Sequence, residues 1–306
     1  MLTYLAKNVA QRFGFHVERM PNGQLGWNQS IAVNFPVELR SRWGHGLPRN
    51  PFVQAALDEQ RDAYWQSLAH LKSAESVLER ISHHFAEDDP EAPFWNNTWF
   101  TGLDAASLVA FLLARKPKRY IEIGSGFSTR FCRRAVRDGR LATTITSLDP
   151  QPRAGIDGLC DNIIRRPLEN CDLTLFDQLE PGDIVFFDGS HRALPNSDVT
   201  VFFLEVLPRL KPGVLIQVHD IFLPDDYPPA WNKRAYSEQY LLAAMLLFGR
   251  RRVRVLLPCY FVSTERALSE ELRRVLTSPR GSSRIPLCYD TLAAQPACAF
   301  WFELAD

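Results

Sequence analysis

Two short clusters hold side chains able to move protons or bind cations: Asp188 and His191 in DIVFFDGSH, and His219 and Asp220 in VLIQVHD. Each follows a run of apolar residues, as does a third cluster, Glu122-Ile123-Gly124-Ser125-Gly126-Phe127-Ser128. Two carboxylates and two imidazoles brought together can hold a divalent cation and take the proton from a hydroxyl. A His–Asp pair can do the second task without a metal. The plainer alternatives are a core histidine at 219 that donates to a backbone carbonyl, and an Asp188 that only contacts a cofactor's amino group.

These clusters need elements that deliver them to one place. From Leu103 onward the hydrophobic pattern alternates between helix and strand: helix 103–115, strand 120–123, helix 128–138, a strand within 142–149 and a short strand at 162–165. A strand within 183–191 and helix 198–210 follow, the helix turning Val201, Phe202, Leu204 and Leu207 inward before Lys211-Pro212-Gly213 stops it. Strand 214–218, helix 237–248, a strand within 251–262, a helix at 264–277 and a last strand at 298–304 complete the series. Alternation of this kind is the mark of a parallel sheet, and an antiparallel terminal strand brings the count to seven. Ligands of such open α/β sheets sit beyond the carboxyl ends of the strands, so Asp188, His191, His219 and Asp220 are expected to converge with the 122–128 loop at one mouth.

The chain changes character near residue 95. Residues 21–52 are rich in Gly, Pro and Asn and read as loop, and a helix is expected over 52–86, ended by the acidic EDDPEAP. We therefore divide the chain into a mostly helical extension, 1–95, suited to lid the pocket or build a homodimer, and a catalytic domain, 96–306.

The 122–128 loop joins a strand to a helix, where glycines allow close backbone approach and the helix N-terminus offers free N–H groups. Asp149, 23 residues after Gly126 at the end of the next strand, is placed to accept ribose hydroxyls. Both NAD enzymes and S-adenosylmethionine (SAM) methyltransferases use this layout. Thr129 stands where a dinucleotide fingerprint wants its third Gly, which argues against a pyrophosphate, and an acidic residue two before the first Gly, here Glu122, recurs in methyltransferases.

On the pieces YIEIGSG, SLDP, GDIVFFDGSH and LKPGVLIQVHD, in that order, residues 98–306 resemble the class I SAM-dependent methyltransferases, a bacterial branch of which shares FFDGSH and HDIFLP. The resemblance implies a Rossmann-like, seven-stranded, mostly parallel sheet with one antiparallel strand. It implies Glu122, Gly124, Ser125 and Gly126 around the methionine moiety, Asp149 on the ribose, and Pro167, Leu168 and Glu169 beside the adenine. Ser128 departs from the third Gly of many members. The mouth is similar to that of metal-dependent O-methyltransferases, which implies Asp188, His219 and Asp220 as metal ligands and places His191 where the family has its catalytic lysine. His219 replaces what is normally a carboxylate, and imidazole is a poorer ligand for magnesium than oxygen, so a softer divalent ion, or none, is an open alternative. The expectation is SAM-dependent O-methylation of a small-molecule acceptor, a sugar or phenolic hydroxyl, with Asp188, His191 and His219 as catalytic residues. The alternatives are an NAD or nucleotide-sugar oxidoreductase and a SAM-binding protein without turnover.

Bulk properties narrow the partners. The chain has 306 residues, 46% apolar and 23% charged, within the globular range. Lys plus Arg equals Asp plus Glu at 35 each, which leaves no global field for nucleic acid or an anionic membrane. The arginines at 250–252 and 254 read as a solvated edge. The longest apolar runs, 108–114 and 240–248, are too short to span a bilayer, and Lys7, Gln11 and Arg12 interrupt any signal-peptide core. Six scattered cysteines without a C-x-x-C pair are expected to be reduced thiols of a cytoplasmic protein. Tyr227, Trp231 and Tyr236, in the long loop after the fifth strand, are expected either to wall the acceptor pocket or to anchor that loop, and Trp99 or Asp104 to cover the cofactor.

Overall fold

The computed structural model describes residues 37–100, 102–152, 155–249, 252–276 and 297–305. The N-terminal segment with Lys7, Gln11 and Arg12 lies outside them, as do Arg250, Arg251 and Cys288. In chain order come helices α1 (Pro51–Asp58) and α2 (Arg61–Ser73), then α3 (Gly102–Arg115), β1 (Arg119–Ile123), α4 (Phe127–Asp138), β2 (Thr144–Leu148), β3 (Asn162–Ile164), β4 (Ile184–Phe187) and β5 (Leu215–Val218). After the long loop follow α5 (Glu238–Phe248), β6 (Val253–Pro258), α6 (Cys259–Thr264), α7 (Arg266–Leu276) and β7 (Phe300–Leu304).

The strands make one sheet in the order β3-β2-β1-β4-β5-β7-β6. β1 to β5 run parallel, and β7 inserts antiparallel between β5 and β6. The expected single antiparallel strand is thus β7, held on both sides. The strand order reverses between β1 and β4, and in open sheets such a switch opens a crevice beyond the strand ends. Residues of β1, β4 and β5 are almost wholly buried because helices cover both faces, which is why these strands read as apolar runs rather than alternations. α3 is buried from Gly102 to Leu112, and its Phe111 lies 4.6 Å from Trp301 of β7.

Three expectations are corrected. The helix expected over 52–86 breaks after Asp58 and Ser73, with a short further turn at Glu75–Leu78, because tertiary contacts fix the pieces separately. The Tyr64 hydroxyl donates to the Leu57 carbonyl at 2.8 Å, and Ser67 donates to Leu256 of β6 at 2.7 Å. Val53, Leu57, Tyr64, Leu68 and Leu71 share the sheet's own core. The run 251–262 is strand only to Pro258 and continues as α6, since a short apolar stretch fits a buried helix as well as a buried strand. Helix 198–210 begins as α over Asp198–Val201, widens into a π turn and ends in a 3-10 turn around Pro208, which leaves Leu204 69% exposed instead of inward.

Residues 39–306 form one compact unit. Within it, residues 41–50 bind the long loop after β5: Asp226 accepts from the Arg42 and Trp43 amides at 2.6 and 3.3 Å, and Ser41 donates to the Tyr227 carbonyl.

Candidate active site

The loop after β1 is built by close contact from beneath. Gly124 has φ +79°, and a Cβ there would stand 1.9 Å from the Asp188 carbonyl oxygen, so the ends of β1 and β4 meet through a position only glycine fills. The Ser125 amide donates to Asp149 Oδ2 at 2.8 Å, and the Ser125 and Ser147 hydroxyls are 2.8 Å apart. Above Gly126 the situation is reversed, for nothing lies within 4 Å of where its Cβ would be. Glu122 is fully buried under this loop, accepting from the hydroxyls of Thr129 and Tyr120. Burial pushes its carboxyl up to about 7, against the hydrogen bonds from Ser128, Thr129 and Tyr120 that favour the anion. Thr129 also accepts from the Gly126 amide at 3.1 Å. The residue that spoiled the dinucleotide fingerprint is therefore a brace between Glu122 and the loop.

Asp149 is half-buried, and its second oxygen accepts from the Gln151 amide at 2.7 Å. Leu168 packs into the core while Glu169 is half-buried beside it. A carboxylate oxygen has two acceptor positions, so Asp149 keeps capacity for a ligand's hydroxyls. The open space over Gly126, flanked by Asp149, is where the residues present fit SAM.

The four mouth residues do converge. His191 Nε2 lies 3.4 Å from Asp188 Oδ1 and 3.5 Å from Asp220 Oδ2. His219 Nδ1 lies 3.7 Å from Asp188 Oδ1 and 3.5 Å from Asp220 Oδ1. Asp188, His219 and Asp220 each offer one ligand atom within 4.8 Å of the others. His191 and Asp220 both hold left-handed backbone, φ +64° and +60°, a conformation that side-chain-bearing residues adopt at a cost and that recurs at functional sites.

Behind His191 stands a residue that the sequence reading missed. Glu238, the first residue of α5, is fully buried, and its Oε1 accepts from or shares a proton with His191 Nδ1 at 2.6 Å. This bond fixes which nitrogen faces the mouth: Nε2 points to Asp188 and Asp220. Burial opposes charge on the His191 ring, but Glu238 first, then Asp220 and Asp188, push it up to about 9. Two of those three carboxylates are the ones a bound dication would neutralise. His219 is likewise held well above its usual range, its burial outweighed by Cys298, Asp188, Asp220 and Asp104.

The loop aromatics divide. Tyr227 is 4% exposed, enclosed with Phe222, Tyr260 and Cys298, and its hydroxyl accepts from the Gln239 amide, so it anchors the loop. Trp231 and Tyr236 are half-buried on the same cluster, and Tyr236 lies over the His191 ring at 4.3 Å. Trp99 is 56% exposed. Asp104 is fully buried and turned to the start of β7, where it accepts from the Cys298 and Ala299 amides at 3.0 and 2.7 Å. Asp104 and Cys298 thereby join the back of His219. The only sequence sign of Glu238 was a charged residue opening an otherwise apolar helix, EQYLLAAMLLF, 47 residues away from its partner.

Residues 121–221, about a third of the chain, match the family model Methyltransf_24, described as a methyltransferase domain. The matched stretch runs from β1 to just past β5 and holds the glycine loop, Asp149 and all four mouth residues. Residues 121–221 thus carry a match to a methyltransferase domain, on a sheet of the Rossmann-like kind. Among curated proteins none matches. Solved structures similar to the chain include a methyltransferase of Podospora anserina bound to S-adenosylhomocysteine, 19% identical, covering 86% of this chain and 100% of that one, with a TM-score of 0.40. An O-methyltransferase of Bacillus cereus in complex with S-adenosylhomocysteine is 12% identical over 83% of this chain and 100% of its own, TM-score 0.36. The MycE methyltransferase of the mycinamycin pathway, with Mg, S-adenosylhomocysteine and mycinamycin VI, is 19% identical over 57% and 51%, TM-score 0.37. At these scores the likenesses carry no weight for this chain's substrate or metal.

Proposed function

We propose that the chain is a SAM-dependent methyltransferase acting on a hydroxyl of a small-molecule acceptor, with Asp188 and Asp220 holding a divalent cation and His191 as general base. The observation that carries the reading is the convergence of His191, Asp188 and Asp220 beside the open space over Gly126, with His191 Nδ1 anchored on Glu238. SAM, when bound, supplies an electrophilic methyl group on sulfur; a cation between the carboxylates supplies a lowered pKa for an acceptor hydroxyl. The protein's own contribution is position and proton transfer. Gly124, Ser125, Gly126 and Asp149 orient the cofactor, Glu122 and Thr129 keep that loop rigid, and Glu238 aims Nε2 at the acceptor proton. Trp231 and Tyr236 form the apolar rim on the acceptor side, and Tyr236 shields the His191 ring from water.

The test is calorimetry with SAM, S-adenosylhomocysteine and NAD, followed by a screen of sugars and phenols for S-adenosylhomocysteine release, with EDTA and with added magnesium or manganese. Binding of the SAM pair alone is expected. His191→Ala is expected to keep SAM affinity and to lose about 10²–10⁴-fold in turnover. Unchanged turnover would remove His191 from the chemistry, and tight NAD binding would overturn the whole reading.

A further inference from the structure

The back of His219 forms a second cluster with different chemistry from the mouth. Its Nε2, Asp104 Oδ2 and Cys298 Sγ face one another, each from a separate element: the first turn of α3, the end of β5 and the approach to β7. All three residues are buried. Nε2 to Oδ2 is 3.4 Å, Sγ to Oδ2 3.7 Å and Sγ to Nε2 3.7 Å. An ionic His–carboxylate hydrogen bond closes to about 2.7–2.9 Å, and that of His191 with Glu238 is 2.6 Å, so the His219–Asp104 separation is long for one. It is close to what ligands of a shared ion require. Donors about 2.0–2.3 Å from a tetrahedral zinc stand roughly 3.3–3.6 Å apart.

From this geometry we infer that Asp104, His219 and Cys298 form a buried site for a borderline-soft divalent cation such as zinc, separate from the cation proposed between Asp188 and Asp220. One carboxylate, one thiolate and one neutral imidazole balance the charge of the dication, and the thiol releases its proton on binding. Asp104 Oδ2 also accepts from the Cys298 amide at 3.0 Å, which orients its remaining lone pair. The ion would tie three elements together behind the mouth. It would also settle the His219 tautomer: with Nε2 on the metal, Nδ1 carries the proton and points to Asp188 and Asp220, so the mouth cation rests on the two carboxylates without His219. The identity of the methyl acceptor does not enter into this inference.

The experiment measures metal in the full-length protein as purified, then replaces it with cobalt, since a cobalt–thiolate bond gives a near-ultraviolet charge-transfer band. One zinc per chain is expected, with that band on cobalt exchange. Cys298→Ser should abolish the band and weaken zinc binding at least about tenfold, the lower end of the loss seen even for residues that only support ligands. Asp188→Asn, which leaves all three ligand side chains in place, should keep the band. A cobalt spectrum without thiolate character in the wild type would overturn the site whether or not the variant folds, as would a band that survives Cys298→Ser. SAM affinity measured on the same samples separates this outcome from failure of the methyltransferase reading, because wild-type protein that binds SAM but shows no thiolate band refutes the buried site alone.

Discussion

The two glycines of the loop after β1 make opposite demands, and exchanging each for alanine separates folding from the proposed cofactor binding. At Gly124 the backbone is left-handed, which costs a side-chain-bearing residue about 1–2 kcal/mol. The added methyl would also stand 1.9 Å from the Asp188 carbonyl, so the ends of β1 and β4 must part. Overpacking of that kind costs typically about 1–3 kcal/mol. Gly124→Ala should therefore lose about 2–5 kcal/mol, or roughly 4–20 °C in Tm at about 2–4 °C per kcal/mol for a domain of this size. Gly126 is the control: its φ of 179° lies outside the left-handed region, and its Cβ would meet nothing within 4 Å. Gly126→Ala should melt within a degree or two of the wild type, or slightly above it through the reduced entropy of the unfolded chain. Its methyl would instead occupy the space assigned to SAM, and we expect calorimetry to show at least about a tenfold loss of SAM affinity, 1.4 kcal/mol. The reasoning is refuted if Gly124→Ala melts like the wild type, and the cofactor placement is refuted if Gly126→Ala binds SAM unchanged.

Three further perturbations address the support of the site. Glu238→Gln keeps an acceptor for His191 Nδ1 but removes the charge; kcat should fall about 10–100-fold with SAM affinity retained, and an unchanged kcat would deny Glu238 any part in positioning. Glu122 has a folded pKa of about 7 against an ordinary 4.5, so the folded state binds the extra proton between those values and stability falls as pH rises through them. Denaturant melts from pH 4.5 to 8 should show wild type losing about 3 kcal/mol relative to Glu122→Gln across that window, and parallel curves would refute the burial argument. Asp226→Ala removes the acceptor of the Arg42 and Trp43 amides and of the Tyr240 hydroxyl; a loss of about 1–3 kcal/mol and faster hydrogen exchange at those two amides are expected, whereas unchanged exchange would mean the 41–50 segment is held by its other contacts.

Local pattern sufficed for the parallel part of the fold. Apolar runs that end in EIGSG, SLD, FFDGSH and QVHD, each too short for a helix and set between helical stretches, read as strands buried on both faces, and the polar residues just past them then emerge on one edge. Hence Asp188, His191, His219 and Asp220 were legible as a group, as was the glycine loop with Asp149. Packing overruled pattern where two answers suit the same run, as at Pro258, where the strand turns into α6, and at Leu204, which a π turn rotates outward.

What the sequence by itself determined about this protein is the sheet, the glycine loop after β1 and the grouping of the four mouth residues, because each rests on a short stretch whose meaning does not depend on distant residues. Tertiary structure alone decided the partners behind the mouth. Glu238 reaches His191 across 47 residues and Cys298 reaches Asp104 across 194, and a contact between residues so far apart leaves no periodicity in the chain. The same holds for Tyr227, whose loop position left a pocket wall and a loop anchor open, and which packs with Phe222 and Tyr260 as an anchor. Side-chain type announces which chemistry is available; only the folded arrangement decides which nitrogen of each imidazole is held and which is left facing the substrate.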